Sequence, residues 1–292
     1  MTPVIRPRRS VLYMPGSNLK AMEKARSLPC DAVILDLEDA VAPDQKEFAR
    51  AQVIETVKAG GFGKREVIIR VNGLDTPYGR ADIAAAATAG AQGVLVPKVD
   101  SAAEVMQASS LLAEAGAPSE LALWAMIETP GGIFNLREIA GAGGRLAVLV
   151  MGTNDLVKEM HGLHVPDRAP LVPLLSLAVL AARGAGLSII DGVYNDIQNE
   201  DGFHAVCTQG RAIGFDGKTL IHPNQIRAAN MVFSPAAAEV AEARKIISAF
   251  ELPENKGKGA IKVDGKMVEL LHAEIARRLV HLADAISALE TP

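Results

Sequence analysis

Eight short runs of Val, Ile, Leu and Ala recur at 10–14, 32–36, 67–71, 93–97, 121–127, 146–151, 187–190 and 215–221, with helix-spaced apolar stretches between them. Within the runs the apolar residues are continuous rather than alternating. Strands covered on both faces, as in a parallel sheet, read this way. The helical stretches include 45–58, 102–115 and 174–183, the last two followed by Gly116 and Gly184, residues suited to end a helix. Eight strand–helix units in succession predict an α/β fold of the (β/α)8 TIM barrel type. A doubly wound sheet would carry a glycine-rich phosphate turn after its first strand, and Pro15-Gly16-Ser17-Asn18 is not that motif.

The pattern changes near the C-terminus. Residues 253–258 are polar, with Pro, Gly and Lys, and read as a linker; 259–267 contain a turn at Asp264-Gly265; 268–289 read as a helix. The expected organisation is a barrel domain at 1–252 and a C-terminal extension at 253–292. So short a tail buries little alone and should dock on a barrel.

At 292 residues and 49% hydrophobic, the chain can fill one large core. Its net charge of −4, with both signs well mixed, leaves no basic stripe for nucleic acid or an anionic membrane. An anionic substrate must then be held by a few placed cations. Cys30 and Cys207 follow no metal or redox spacing and read as reduced thiols. Arg6, Arg8 and Arg9 precede no apolar signal segment, and no run reaches the ~18 residues of a membrane span, so a cytoplasmic protein is expected.

Candidate chemistry gathers where a barrel places it, at the C-terminal ends of the strands. Those positions read Asp36, Glu38 and Asp39; Arg70 and Asn72; Lys98; Glu128; Asn154 and Asp155; Asp191; Lys218 and His222. Glu128 and Asp155 end adjacent strands with no Cys or His beside them. Two carboxylates, completed by water and substrate oxygens, suit Mg²⁺ and would polarise a substrate carbonyl and stabilise an enolate. The alternative is that they mark helix starts, where Thr129-Pro130 and Thr153 also lie. Arg70 must find an anion, either a substrate carboxylate held bidentately or a salt bridge to Asp36 or Glu38. The Asp36–Asp39 cluster is expected to orient Arg70 or water rather than bind metal. His161 and His164 read as solvated loop residues, and Trp124 as core.

On these residues the chain resembles the citrate lyase β-subunit-like family, also grouped with the HpcH/HpaI aldolases, and within it the malyl-CoA and β-methylmalyl-CoA lyase branch. The matching motifs span nearly its whole length: RSVLYMPGSN (9–18), AVILDLEDAVAP (32–43), IRVNGLDTP (69–77), VPK (96–98), MIETPGG (126–132), GTNDL (152–156), IDGVYNDIQNEDGF (190–203), KTLIHPNQ (218–225) and DGKMV (264–268). The resemblance implies a Mg²⁺-dependent carbon–carbon lyase that cleaves a 3-hydroxyacyl-CoA such as malyl-CoA to an acyl-CoA plus glyoxylate or pyruvate. A malyl-CoA thioesterase and a subunit of a larger citrate lyase complex are the alternatives. It further implies metal ligation by Glu128 and Asp155, an acyl-group grip by Arg70, and substrate contact at Asn154. Tyr13, Asn18, Lys24, Ile221 and His222 would hold coenzyme A. Trimers or hexamers are implied, in which the tail acts as a helical lid delivering a carboxylate, here Glu269, to a neighbouring subunit. Two positions depart from the branch. Asn18 stands where an arginine is often found, with Lys20 near enough to substitute, and Glu269 stands where aspartate is usual.

Overall fold

The computed structural model describes residues 5–291, which divide into two compact units, one of them Arg8–Phe233 and the other the rest. In the larger unit eight strands close a parallel barrel in sequence order, the first pairing with both the second and the last. They are β1 Ser10–Pro15, β2 Ala32–Asp36, β3 Glu66–Arg70, β4 Gly93–Val96, β5 Ala122–Ile127, β6 Leu146–Met151, β7 Ser188–Asp191 and β8 Gly217–Leu220. All eight strands expected from the apolar runs are present, shifted at their ends by a residue or two. The helices between them are α1 Leu19–Ala25, α2 Lys46–Ala59, α3 Gly79–Ala87, α4 Ala102–Glu114, α5 Pro130–Phe134, α6 Leu136–Ala140, α7 Thr153–Glu159, α8 Val172–Gly184, α9 Glu200–Ile213 and α10 Gln225–Phe233.

The unbroken apolar runs have a direct structural cause. Side chains alternate across a strand, and both faces of each strand are covered. One set, including Val11, Ala32, Ile34, Ile68, Leu95, Trp124, Met126, Val148, Val150 and Ile190, fills the barrel interior. The other, including Leu12, Val33, Leu35, Ile69, Val94, Leu149 and Ile189, packs with the helices. At the N-terminal end the interior is closed by Arg8, whose guanidinium lies 5.2 Å from the Trp124 ring centroid and pairs with Glu66. The buried Arg9–Asp31 pair ties the starts of β1 and β2. The other end is left for polar chemistry.

The second unit holds α11 Ala237–Glu251, an antiparallel hairpin of β9 Ala260–Val263 and β10 Lys266–Glu269, and α12 Leu270–Glu290. Ala276 and Val280 of α12 pack on Ala243 of α11, and Ile261, Val263 and Val268 pack on Ile246, Ala249 and Phe250. Two features differ from the sequence reading. Val268 and Glu269 end a strand instead of beginning the helix, because the Asp264-Gly265 turn, with both residues at positive φ, pairs 266–269 with 260–263. The compact barrel unit ends at Phe233, and α11 packs with the tail elements. The stretch read as a linker includes a 3-10 turn at Pro253–Asn255, with Asn255 donating to the Ala249 carbonyl. Among the described residues no helix is long and apolar enough to cross a membrane.

Candidate active site

Strand parity decides which of the polar strand-end residues face the barrel mouth. On β2 and β3 the inward positions are Ala32, Ile34 and Ile68, so two residues further Asp36 and Arg70 also point inward, directly paired in register. The Arg70 side chain meets Asp36 through two bonds of 2.6 Å, from Nε to Oδ1 and from Nη2 to Oδ2. Asp36 also accepts the backbone N–H groups of Glu38 (2.9 Å) and Ala40 (3.1 Å), so it is fully engaged. Arg70 Nη1 lies 2.8 Å from Glu38 Oε2 and 3.7 Å from Asp39, and Tyr13 stacks on the guanidinium at 4.9 Å. The salt-bridge alternative for Arg70 is therefore present in the fold. Since a guanidinium carries five N–H bonds and Asp36 takes two of them, the ion pair also sets the group's orientation toward the mouth.

Met126 faces inward on β5, and by the same parity so does Glu128. Its Oε1 accepts the Lys98 backbone N–H at 2.8 Å, and Lys98 adopts a left-handed φ of 51° in making that bond. β6 approaches so closely here that a Cβ on Gly152 would stand 2.3 Å from Glu128 Oε2. No side chain fits at 152. Helix starts are supplied by others: Thr129 caps α5, with Pro130 in its first turn, and Gly152 precedes α7. This leaves both candidate carboxylates uncommitted as caps, with Asp155 in the first turn of α7.

The charges at this mouth are unbalanced. Burial, then the Glu38 charge, pushes the Glu128 carboxyl up to about 8, and Asp155 adds to the shift. Glu38 is raised as well, by burial first and with the Asp39 and Asp36 charges contributing. Glu38 Oε2 is buried and, although near Arg70, accepts no hydrogen bond from the described residues. Burial works against the Lys98 ammonium, yet Glu38, Glu128, Asp39 and Asp155 together hold its pKa above the ordinary value. Its Nζ stands 3.5 Å from Glu38. Carboxylates held together in this way suit a hard divalent cation. Among the described residues no group of three or more Asp, Glu, His or Cys forms a complete cage, so such an ion would keep positions for water and substrate.

Two residues of the strand-end series do not reach the mouth. Asp191 follows inward Ile190, and Lys218 pairs in register with Asp191 and outward Ser10, so both face the helical shell. There Asp191 bridges Lys218 (2.9 Å) and Arg168 (2.8 Å), with Asp191 and Lys218 entirely shut from solvent. This ion cluster joins β7, β8 and the loop before α8. Alternation, not proximity to a strand end, separates it from the site.

The other expected contacts come from several elements. Asn154 and Asn195 exchange side-chain hydrogen bonds. The backbone N–H groups of Ile221 and His222 are both fixed by Gln225 Oε1. Asn18 caps α1 by accepting the Ala21 N–H, and Lys24 is exposed on the same helix. Glu269, exposed in the second unit, donates its backbone N–H to His272 Nδ1. His161 and His164 are exposed beyond α7, and Trp124 is core. Sequence reasoning missed the supports. Lys46 is buried and donates to the Leu37 and Glu38 carbonyls, fixing the loop that carries Glu38. Asp82 joins Asn72 to Arg50. Both Lys46 and Asp82 come from helices, where a charged residue ordinarily signals a solvent face.

Residues 9–223 match the family model described as HpcH/HpaI aldolase/citrate lyase. The chain is 51% identical to a (3S)-malyl-CoA thioesterase of Cereibacter sphaeroides, over 97% of its own length and 96% of the relative's. It is 34% identical to citrate lyase subunit beta of Leuconostoc mesenteroides, over 96% and 94%. Among solved structures, it is similar to the CitE protein of Mycobacterium tuberculosis in complex with magnesium, acetoacetate and coenzyme A, with a TM-score of 0.73, 28% identity, and coverage of 94% of this chain and 99% of that one.

Proposed function

The chain belongs to the HpcH/HpaI aldolase/citrate lyase family, and from that premise we propose that it is a Mg²⁺-dependent enzyme hydrolysing a malyl-CoA-type thioester to the free dicarboxylic acid and coenzyme A. The observation that carries this reading is the convergence of Glu128 and Asp155 with Arg70 and Lys98 at one barrel mouth. Oxygen ligands beside fixed cations complement a substrate that is itself an oxygen-rich anion. The relatives favour hydrolysis within the family's range, since identity is 51% to a malyl-CoA thioesterase and 34% to a citrate lyase β subunit.

Glu128 and Asp155 would hold the ion. Bound there, Mg²⁺ supplies Lewis-acid polarisation of a substrate oxygen. Arg70, pre-set by Asp36, directs its remaining N–H bonds at an anionic oxygen of the acyl portion, and Asn154 borders the same group. Tyr13, Asn18, Lys24 and the Ile221-His222 backbone surround the path for coenzyme A. Glu269 is assigned the proton-handling carboxylate, delivered by the tail of a second copy in a trimer or hexamer. In hydrolysis, water oxygen bonds to the acyl carbon, the C–S bond breaks, and the departing sulfur takes a proton.

Carbon–carbon cleavage of the same thioester to acetyl-CoA or propionyl-CoA plus glyoxylate or pyruvate is the second reading. Arg70 and a metal ion bound at Glu128 and Asp155 would favour it too, because carbanion charge developing on a thioester needs the same stabilisation. Purified protein with malyl-CoA and Mg²⁺ separates the two by product analysis. Free coenzyme A and malate are expected. Acetyl-CoA with glyoxylate would assign the lyase reaction, and no turnover of malyl-CoA, citramalyl-CoA or citryl-CoA would refute both.

A further inference from the structure

We infer that the Lys98 ammonium is a built-in counter-ion of the carboxylate cluster, one that competes with the divalent cation and keeps the metal affinity of the free enzyme low. The inference rests on the assignment of Glu128 and Asp155 as metal ligands, and it concerns the Lys98 side chain, which is not one of those ligands.

Lys98 does two separate things. Its main chain takes a left-handed conformation, φ 51°, which strains a lysine but suits glycine or asparagine. In that conformation its N–H reaches Glu128 Oε1 at 2.8 Å. Its side chain runs to the carboxylate beside Arg70, with Nζ 3.5 Å from Glu38 Oε1 and the Glu128, Asp39 and Asp155 charges also acting on it.

Arg70, the other cation here, is buried and locked by its bidentate bond to Asp36. The Lys98 side chain is 51% exposed and makes no hydrogen bond short enough to hold it. It is the cation able to leave. A divalent ion arriving at Glu128 and Asp155 meets this positive charge and must displace it toward solvent. An anionic substrate that pairs with the ammonium would relieve the same repulsion, so ion and substrate should each favour the other's binding. The bland reading is an exposed Lys–Glu pair worth little and acting on nothing.

Titration calorimetry of the full-length protein with MgCl2 alone, at one fixed pH for all variants, distinguishes these readings. Removing a positive charge that acts on both ligand carboxylates should tighten binding on the order of tenfold in Lys98→Met. Lys98→Asn, which suits the left-handed backbone, should tighten it similarly, and Lys98→Arg should stay within about twofold of wild type because it keeps the charge. Circular dichroism and Trp124 fluorescence check that each variant is folded. Unchanged or weaker Mg²⁺ binding in both neutral variants, with wild type binding normally, overturns the inference. If wild type binds no Mg²⁺, or Glu128→Gln binds it as well as wild type, the ligand assignment itself fails and takes the inference with it.

Discussion

Replacing Asp36 with asparagine tests whether the Arg70 site is built as described. The Asp36 carboxylate accepts four N–H groups, two on each oxygen: Arg70 Nε and Glu38 N on Oδ1, Arg70 Nη2 and Ala40 N on Oδ2. Asparagine offers one acceptor oxygen and an amide that itself donates. In either orientation one Arg70 N–H and one backbone N–H would face that amide. A buried donor left unsatisfied costs about 1–3 kcal/mol, and more where the donor is charged. Loss of one partner from a buried ion pair costs about 3–5 kcal/mol, but Glu38 still compensates Arg70, so a loss of roughly 2–4 kcal/mol is expected. In a unit of this size that is a fall in Tm of roughly 5–15 °C. Trp124 is the chain's one tryptophan and is wholly buried inside the barrel, so its fluorescence during urea or thermal unfolding reports on that unit. A destabilisation under about 0.5 kcal/mol would refute the four-bond account, since even one unsatisfied buried donor exceeds it.

Glu128→Gln and Asp155→Asn should each abolish turnover with Trp124 fluorescence unchanged, and full activity in EDTA would remove the metal from the account. Arg70→Lys should lower kcat/KM by at least about tenfold, because an ammonium cannot satisfy Asp36 bidentately and serve an anionic substrate as well; wild-type kinetics would make Arg70 purely structural. Glu128, pushed up to about 8 from an ordinary 4.5, holds in the folded state a proton that the unfolded chain releases. Its contribution to stability therefore weakens as pH rises from about 4.5 to about 8, and Mg²⁺ binding near pH 7 should expel close to one proton. Calorimetry in buffers of different ionisation heat measures this, and zero release contradicts it. Mixing Arg70→Ala with Glu269→Ala under subunit exchange should restore some activity if the tail serves a second copy; no recovery despite exchange, or a fully active Glu269→Ala, rejects that role.

The barrel was legible in the sequence because strands covered on both faces read as short continuous apolar runs, clearest at 121–127 and 146–151, and eight candidate strands recur with helical stretches between them. The C-terminal hairpin was only half legible. Asp264-Gly265 marked the turn, but the pairing of 266–269 with 260–263 is set by Ile261, Val263 and Val268 packing on α11, a tertiary contact. Without it, 268–269 join smoothly onto the apolar periodicity of α12. The strand-end series was overcounted for a similar reason. A run apolar on both faces conceals its own parity, so Asp191 and Lys218 look no different in the sequence from Asp36 and Arg70.

Parity also explains how one barrel places two ion clusters a few residues apart without mixing them. The outward cluster is complete: Asp191 is answered by Lys218 and Arg168, and its oxygens also meet the Gly192 N–H. The inward cluster is incomplete: Glu38 Oε2 meets Arg70 as an ion pair without a hydrogen bond, and Glu128 is raised far above its ordinary range. A buried ion cluster whose polar atoms are all partnered within the fold can join elements but has nothing left to bind, whereas a surplus of carboxylates calls for a cation that arrives. Gly152 makes the distinction physical, because its missing side chain is the space in which the Glu128 carboxylate stands. Filling that space with Gly152→Ala would drive Glu128 off the Lys98 N–H, so metal binding should suffer more than folding.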